Sequence, residues 1–456
     1  MAEFNLKRGY DIRISGEAER DIETLPSPKK VALLPSEFPG IKPRLDVDEG
    51  DQVKVGTPLF HDKERPEIKF VAPVSGKVAA INRGERRRLL EVVIENDEQK
   101  NVEQNGNRDK KNIEKMSREE IVSQLLNGGM WPHIRQRPFS KIANPGDVPR
   151  DIFISAMDTA PLATDPNFII EDVKEHFQFG LDILSKLTDG KIHLSMTGKK
   201  EQRSAIFEQA EGVEKHYFTG NHPAGNVGVH IHHIDPIKIG GDFVWYVQPY
   251  AVGLIGKFFK QGYFANDRIV AKVGSSLNNR KYYKTVVGAP ISTFIKEKDL
   301  NDEEQRFILG DVLTGQKTSI KGYISFYKHL VTVIPEGSEK RKLVGYFRPG
   351  MDLPSFSRTF LSSILKKNDK FTMDTRIFGE HRAFVQTGSY EKVLPMDIYP
   401  AVLMKSILAE DIEEMEGLGI LELDEEDIAL CSYIDLSKTN FGALLRHGLD
   451  LIEKEG

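Results

Sequence analysis

The sequence predicts a multidomain α/β protein, and three stretches of its 456 residues carry this prediction. Residues 152–218 alternate short apolar runs with segments of helical periodicity, a pattern typical of parallel strands joined by crossover helices. Residues 262–336 have apolar residues at every second position between glycine-containing turns, which indicates a small mixed sheet. Residues 400–417 begin with proline and carry a broad apolar face, so they predict one long helix in a mainly helical C-terminal part.

The composition excludes several classes of protein. Lys plus Arg number 63 against 68 for Asp plus Glu, so the net charge of -5 provides no basic field for nucleic acid. The single cysteine, Cys431, cannot form a disulfide framework or hold an Fe–S cluster, which needs several cysteines. The N-terminus lacks the apolar segment of a secretory signal. Residues 243–259 are the most apolar stretch, but Gln248, Pro249 and Lys257 interrupt it, and we expect no direct membrane span.

Short strands with tight turns are predicted between residues 31 and 81. The spacing GDxVxxGxxL from Gly50, followed by APxxGxV from Ala72, resembles the biotinyl/lipoyl hammerhead, a small β-sandwich. Carriers of that family are acylated on a lysine at a hairpin tip. The nearest lysine here, Lys63, lies earlier than the lipoyl pattern would place it and lacks the flanking methionines of biotin carriers. We therefore expect an unmodified, structural sandwich.

Two further segments complete the predicted organisation. Residues 96–116 are rich in charged and amide side chains, as in a solvated linker. Ser117 and Glu120 then have the spacing of a capping box and predict a helix that ends at Gly128 and Gly129. The predicted domains are a biotinyl/lipoyl-like domain (1–95), the linker (96–116), a Rossmann-like domain (117–258), a β-grasp domain of SLBB type (259–345) and a C-terminal mainly helical domain without Fe–S cysteines (346–456).

Histidines and acids are concentrated in two places. Five histidines lie within 18 residues: His216, His222, His230, His232 and His233. His230 and His232 would share one face of a strand and so reach one metal ion, but neither cysteines nor an HExxH helix accompany them. We favour structural, hydrogen-bonded histidines and expect no metal site. The acidic run at residues 424–427 is interpreted as a solvated helix face.

Residues 127–166 are predicted to form a loop that leads into a buried strand with polar residues at its carboxyl end, where open α/β sheets bind ligands. No GxGxxG pattern follows this strand, so dinucleotide binding has no direct support.

The order of the domains resembles that of the flavin-binding subunit of respiratory complex I and of the C subunit of the Rnf complex. In those proteins a glycine-rich loop before the sheet and an ECEP or ESEP segment after its first strand hold flavin and NADH. Here bulky residues fill the loop GGMWPHIRQRPFSK, and MDTAP (157–161) has alanine in place of the second acid. The resemblance implies a relic flavin/NADH pocket marked by Gly128, Gly129 and Asp158.

Longer motifs resemble the family of A subunits of the Na⁺-translocating NADH:quinone oxidoreductase: RPFSK (137–141), HPAGNVGVHIH (222–232), LGILELDEEDIALC (418–431) and the terminal LIEKEG. One departure is SYIDLSK after Cys431, which lacks a Cys-Pro pair and is interpreted as further decay of an unused cluster site. The resemblance implies a peripheral, cofactor-free subunit on the cytoplasmic face of the bacterial inner membrane. FAD, FMN, riboflavin and Fe–S centres would be held by the five partner subunits, B to F, during electron transfer to quinone and Na⁺ export.

We expect this chain to contribute to quinone binding, which needs an apolar cradle for the ring and donors for two carbonyls. The candidates are aromatic and basic residues of two loops: Phe38, Lys42, Trp131, His133, Arg135, Arg137, Phe139 and Lys141. The alternative is a scaffold subunit with a relic pocket and no ligand of its own, because arginine and aromatic residues also anchor protein interfaces. A stand-alone NADH dehydrogenase is excluded by the missing glycines and acids, and no residue is assigned a catalytic role.

Overall fold

The computed structural model describes residues 2–301, 304–337, 350–365, 368–377, 382–385 and 388–455. Its strands are β1 (Ala2–Asn5), β2 (Glu19–Thr24), β3 (Lys30–Leu33), β4 (Pro43–Leu45), β5 (Gln52–Val53), β6 (Pro58–Asp62), β7 (Lys69–Val71), β8 (Gly76–Arg83), β9 (Leu89–Asn96), β10 (Arg135–Arg137), β11 (Lys141–Ile142), β12 (Ile152–Ser155), β13 (Ile192–Thr197), β14 (Glu214–Thr219), β15 (Val244–Tyr246), β16 (Asp267–Val273), β17 (Lys281–Val286), β18 (Gln305–Leu309), β19 (Gln316–Thr318) and β20 (Leu330–Pro335).

The helices are α1 (Lys110–Lys115), α2 (Arg118–Asn127), α3 (Pro166–Ile169), α4 (Lys174–Leu184), α5 (Ala205–Glu208), α6 (Val227–Ile234), α7 (Pro249–Gln261), α8 (Ser362–Leu365), α9 (Pro400–Ala409), α10 (Ile412–Gly417), α11 (Glu425–Ile434) and α12 (Phe441–Glu455). The predicted capping box at the start of α2 is confirmed. The backbone N–H of Glu120 donates to Ser117 Oγ at 3.2 Å, and the N–H of Ser117 donates to Glu120 Oε2 at 2.8 Å.

The largest sheet has the strand order β1-β14-β13-β12-β15-β10-β11. Strands β12, β13 and β14 run parallel to one another, and β15 runs parallel to β12 on its other side. Helices α4 and α7 pack closely through glycines. A Cβ atom on Gly180 would lie 2.0 Å from the carbonyl oxygen of Val252, and one on Gly256 would lie 2.1 Å from that of His176. The predicted Rossmann-like sheet with crossover helices is therefore confirmed.

The first 24 residues contribute strands to two sheets outside the hammerhead. Strand β1 pairs in parallel with β14, where Phe4 stacks on Phe218 with the ring centroids 4.6 Å apart. Strand β2 pairs in parallel with β17 in a six-stranded mixed sheet of order β19-β18-β20-β16-β17-β2. The hammerhead consists of two smaller sheets, β3-β9-β8-β5 and β4-β6-β7. The predicted range 1–95 thus includes two strands that complete the edges of other sheets.

Two predicted segments differ from the structure. Residues 96–116 are not a wholly solvated linker, because Val102 bridges to Val55 and α1 buries Ile113. The predicted single helix 400–417 is two helices, α9 and α10, since Glu410 adopts a left-handed backbone (φ 56°) and the Asp411 side chain caps the second helix. The predicted boundary between residues 345 and 346 lies outside the described residues.

Lys63 lies exposed in the turn between β6 and β7, and its backbone N–H donates to the carbonyl oxygen of Lys42 at 2.8 Å. The turn is held near the large sheet because Nη1 of Arg65 donates to the carbonyl oxygen of Ile142 at 3.0 Å.

Glu37 forms a contact between the hammerhead and the mixed-sheet domain, where its Oε2 accepts the N–H of Phe326 at 2.9 Å. Burial raises the pKa of Glu37 from 4.5 to about 7, although hydrogen bonds from Ser325 and Phe326 and the charge of Arg268 oppose this. The folded protein therefore binds this proton more tightly than the unfolded chain does. Consequently this group's contribution to stability falls as the pH rises from 4.5 to about 7.

The substitution Glu37→Gln keeps an acceptor for Phe326 but has no proton to lose. We expect it to increase the free energy of unfolding by about 3 kcal/mol at pH 8, with a gain close to zero well below pH 4.5. Urea unfolding at the two pH values measures this difference. The exposed Glu67→Gln serves as the control, and an equal effect at both pH values would contradict the assignment.

Candidate functional site

A cavity of about 210 Å³ lies at the carboxyl ends of β12 and β15. Strands β13 and β14 lie on one side of β12 and β15 lies on the other, so this is the point where the strand order reverses and where α/β sheets bind ligands. Met157 and Tyr246 line it from the large sheet, Tyr327 from the mixed-sheet domain and Glu426 from the C-terminal domain. Its size suits one aromatic ring, since an engineered cavity of about 150 Å³ holds benzene.

Arg135 of β10 provides a cation at the cavity wall between two aromatic rings. Its guanidinium carbon lies 5.1 Å from the ring centroids of both Tyr246 and Tyr327. Its Nη2 donates to the carbonyl oxygen of Ser140 at 2.8 Å, while the buried Nε–H has no hydrogen-bond partner among the described residues. The hydroxyl of Tyr327 donates to the carbonyl oxygen of Pro132 at 2.7 Å, which fixes that ring.

Two carboxyl groups at the cavity titrate near neutral pH. Desolvation at the cavity wall raises the pKa of Asp158 from 3.8 to about 6, and the nearby charge of Asp311 contributes to this rise. Burial also raises the pKa of Glu426 to about 7, against the effect of Arg137. The pKa of Asp311 is instead lowered, because Lys328 and hydrogen bonds from residues 313 and 314 outweigh its burial. Asp158 and Glu426 are therefore groups that can gain or lose a proton near pH 6–7.

Glu426 belongs to an ion cluster around Arg137, whose side chain is fully buried. Nη1 of Arg137 donates to Asp427 Oδ2 at 3.1 Å, Nη2 donates to Glu426 Oε1 at 3.0 Å, and Asp424 Oδ2 lies 3.6 Å from Nη2. Arg446 also donates to Asp424 at 2.8 Å. The predicted solvated face at residues 424–427 is wrong for Asp424 and Asp427, which are 7% and 1% exposed, because these arginines neutralise them.

The pKa values in this cluster follow from its charges. Burial alone would raise the pKa of Asp424, but Arg137, Arg135 and Arg446 hold it at about 2. The pKa of Asp427 is raised, because burial and the charge of Asp424 outweigh the attraction of Arg137. The acids in turn hold the pKa of Arg137 above its usual value in spite of its burial.

Of the eight residues predicted as quinone candidates, Arg135 lines the cavity. Trp131 is fully buried, its Nε1 donates to the carbonyl oxygen of Ala143 at 2.8 Å, and its ring meets Trp245 edge-on. Phe38 packs against Phe70 within the core. These aromatic side chains pack in the core and do not line the cavity.

The remaining candidates also have protein partners. The ring of His133 stacks on Phe326 with centroids 4.5 Å apart, and burial lowers its pKa to about 3. The carbonyl oxygen of Phe139 accepts a hydrogen bond from Arg446 at 3.0 Å. Lys141 pairs with Glu453, and Lys42 pairs with Glu64 at the exposed surface. Arg137 does not line the cavity itself but binds Glu426, which does.

The three predicted markers of a relic pocket are separated in the structure. Gly128 follows α2, where a Cβ atom would lie 2.1 Å from the ring of Phe258. Gly129 has a φ of 69°, and a Cβ atom there would lie 2.4 Å from Val71 of the hammerhead. Both glycines therefore serve close packing, and Asp158 lines the cavity.

The residues at the junction of β15 and α7, among them Tyr246, Gln248 and Tyr250, line the cavity but are not among the site residues predicted from the sequence. A signal was present: the apolar run ends in Gln248-Pro249, and proline at the first position of α7 marks a strand that leads directly into a helix. The apolar character of residues 243–259 suggests a membrane span and does not by itself indicate this strand–helix junction.

The strand predicted for His230 and His232 is helix α6, so the two residues do not share one face. His230 Nε2 lies 2.8 Å from the carbonyl oxygen of Ala224, and His232 Nδ1 lies 2.8 Å from Glu422 Oε2. His233 Nε2 lies 2.8 Å from the carbonyl oxygen of Pro395. The prediction of hydrogen-bonded structural histidines is confirmed for these three residues.

Comparisons with known proteins cover most of this architecture. Family models match at residues 4–97 (NqrA N-terminal barrel-sandwich hybrid domain), 116–264 (NqrA second alpha/beta domain) and 269–319 (NQRA C-terminal domain). The A subunit of the Na(+)-translocating NADH-quinone reductase of Yersinia pestis is 42% identical over 456 residues, which is 99% of this chain and 100% of that protein. The chain belongs to this family of A subunits. The members of this family are subunits of an oxidoreductase complex. The predicted family and fold class are confirmed.

The corresponding A subunit of Neisseria meningitidis serogroup B is 40% identical with the same coverage. Among solved structures, the chain is similar to a chain of an NAD+-reducing [NiFe]-hydrogenase with a TM-score of 0.39 and 9% identity, over 75% of this chain and 64% of that one. No helix in the described part of the chain has the length and apolar character needed to cross a membrane.

Proposed function

We propose that this protein binds the head group of a quinone in the cavity at the carboxyl ends of β12 and β15. One observation carries the proposal: a ring-sized cavity at the switch point of the sheet is lined by Tyr246, Tyr250 and Tyr327, with Arg135 beside two of them. Aromatic side chains offer flat apolar faces to a quinone ring, and a guanidinium donates to its carbonyl oxygens. The relatives carry the word quinone in their names, which agrees with this ligand class.

The cavity also contains groups that suit a ligand which takes up protons on reduction. Asp158 and Glu426, with pKa values of about 6 and 7, exchange protons with water in the range where quinone reduction occurs in cells. Electrons would arrive from partner subunits. Within this proposal the chain itself holds no flavin, nicotinamide or Fe–S centre, because bulky residues stand where a glycine loop would admit phosphates and Cys431 is a single, buried thiol.

The setting that we propose for this site is the assembled complex. The chain lies on the cytoplasmic face of the membrane as a peripheral component, and the subunits B to F hold the flavins, the Fe–S centres and the Na⁺ path. The cavity of about 210 Å³ takes up a ring with small substituents, so an isoprenoid tail would lie outside it.

Calorimetric titration of the purified chain with a short-chain quinone tests this proposal, with NADH and FMN as comparison ligands. We expect saturable quinone binding that Arg135→Ala weakens by about tenfold or more, because a charged donor to a buried carbonyl is lost. Ala163→Leu, which adds bulk at the cavity wall, is expected to weaken binding while keeping every donor. Lys42→Ala is the matched control, since this predicted candidate pairs with Glu64 at the surface.

The other outcomes favour different functions. If none of the three ligands binds, the scaffold alternative is favoured, in which the cavity is a relic and Arg135 and its aromatic neighbours stabilise domain contacts. Tight binding of FMN would contradict the absence of a flavin. Equal effects of Arg135→Ala and Lys42→Ala would move the quinone site away from this cavity.

A further inference from the structure

A group of three side chains that can ligate a metal lies near the amino ends of β13 and β14, at the end of the strands opposite the cavity. These strands are parallel neighbours, with His193 of β13 directly opposite Glu214 of β14. His216 follows Glu214 by two positions, so both side chains project from the same face of β14. Three metal-ligating side chains are thereby brought together.

The distances between their ligand atoms fit one shared ion. His193 Nδ1 lies 3.0 Å from His216 Nε2 and 3.8 Å from Glu214 Oε2. One ligand atom from each of the three residues lies within 4.8 Å of the other two. Ligands bound at about 2.0–2.1 Å in a tetrahedral zinc site lie about 3.3 Å from one another. Small side-chain rotations would therefore bring all three atoms onto one ion.

The side chains next to these three residues are placed as outer-shell residues are around a bound metal ion. His193 Nε2, the nitrogen that faces away from His216, lies 3.7 Å from Asp151 Oδ1. Metal-bound histidines usually direct their second nitrogen to such a carboxylate. Lys191 pairs with Oε1 of Glu214 at 2.6 Å, which leaves Oε2 facing the histidine. His216 Nδ1 is buried without a hydrogen-bond partner among the described residues.

We propose that His193, Glu214 and His216 form a zinc site with water as the fourth ligand. Two imidazoles and one carboxylate are ligands that Zn²⁺ binds with an open fourth position. Both histidines are 4% exposed, whereas the Glu214 side chain is 40% exposed and leaves access from solvent. The site connects two neighbouring strands at their amino ends, opposite the proposed quinone cavity. It does not depend on the proposed quinone function.

The sequence predicts no metal site, because neither cysteines nor an HExxH helix accompany His230 and His232. His193 lies 23 residues before His216, and neither forms a local metal motif with its sequence neighbours. A hydrogen bond between the two imidazoles is the alternative arrangement. It would account for the short distance between His193 and His216 without any role for Glu214.

The test uses the full-length chain after treatment with EDTA, titrated with ZnCl₂ against a chromophoric chelator. We expect one zinc per chain, and we expect His193→Ala and His216→Ala each to weaken binding by about 100-fold or more. Glu214→Gln keeps the shape of the side chain but loses the anionic oxygen, so it too is expected to weaken binding. His61→Ala is the matched control, because His61 Nδ1 lies 2.7 Å from Asp46 Oδ1 as an isolated histidine–acid pair.

Thermal unfolding of the same proteins separates binding from folding. Zinc is expected to raise the Tm of the unmodified chain and of His61→Ala, and to leave the Tm of folded Glu214→Gln nearly unchanged. Absence of stoichiometric zinc would overturn the proposal. So would zinc binding that persists in both His216→Ala and Glu214→Gln, or that is lost equally in His61→Ala.

Discussion

Replacing Arg137 by methionine is expected to lower the free energy of unfolding by about 3–5 kcal/mol. The substitution keeps much of the side-chain volume but leaves Asp424, Glu426 and Asp427 without the cation that lies among them. Buried carboxylates without a counter-ion either carry the cost of desolvation or take up protons. Urea unfolding of the full chain at neutral pH measures the loss.

The pH dependence of the Arg137→Met variant distinguishes a charge effect from a packing effect. Without the arginine, the folded-state pKa values of Glu426 and Asp427, which are already raised, rise further, while Asp424 keeps Arg446. The folded variant therefore binds protons at Glu426 and Asp427 more tightly than its unfolded chain does. Its stability deficit should therefore shrink as the pH falls towards the carboxyl range. Lys141→Met is the control, because its pair with Glu453 is partly exposed and such pairs contribute at most about 1 kcal/mol. A similar loss in both variants would contradict the role of the cluster.

Replacing Trp131 by alanine is expected to lower the free energy of unfolding by about 3–5 kcal/mol, as for other large core aromatics. The side chain is fully buried, meets Trp245 edge-on at 5.5 Å between ring centroids, and satisfies the carbonyl group of Ala143. Differential scanning calorimetry together with urea unfolding measures the loss. Any weaker quinone binding by this variant would then report on the fold and not on a direct contact.

Trp131→Phe provides the matched control. It retains an aromatic ring for Trp245 but removes the Nε1–H donor, so we expect a smaller loss of about 1–3 kcal/mol from the unpaired carbonyl group and the reduced volume. If Trp131→Ala unfolds at the same urea concentration as the unmodified chain, the side chain is not part of the core, and its place among the quinone ligand candidates is restored.

The sequence by itself determined the elements whose signals are local. Alternating apolar runs between residues 152 and 218 predicted the parallel sheet, because strand and helix periodicities are read within a few residues. Ser117 and Glu120 predicted the start of α2, since a capping box spans one turn. The long motifs predicted the family, which the 42% identity to relatives confirms.

The tertiary structure decided what depends on residues far apart in the chain. Arg137 and Asp427 are 290 residues apart, so no local signal indicated that the acidic run was buried and neutralised. The cavity takes its walls from three domains, and Arg135 reaches it while Trp131 turns into the core four residues earlier. His193 and His216 meet only because β13 and β14 pair in a particular register. These contacts depend on long-range packing, and no local pattern in the sequence shows which distant residue a side chain will contact.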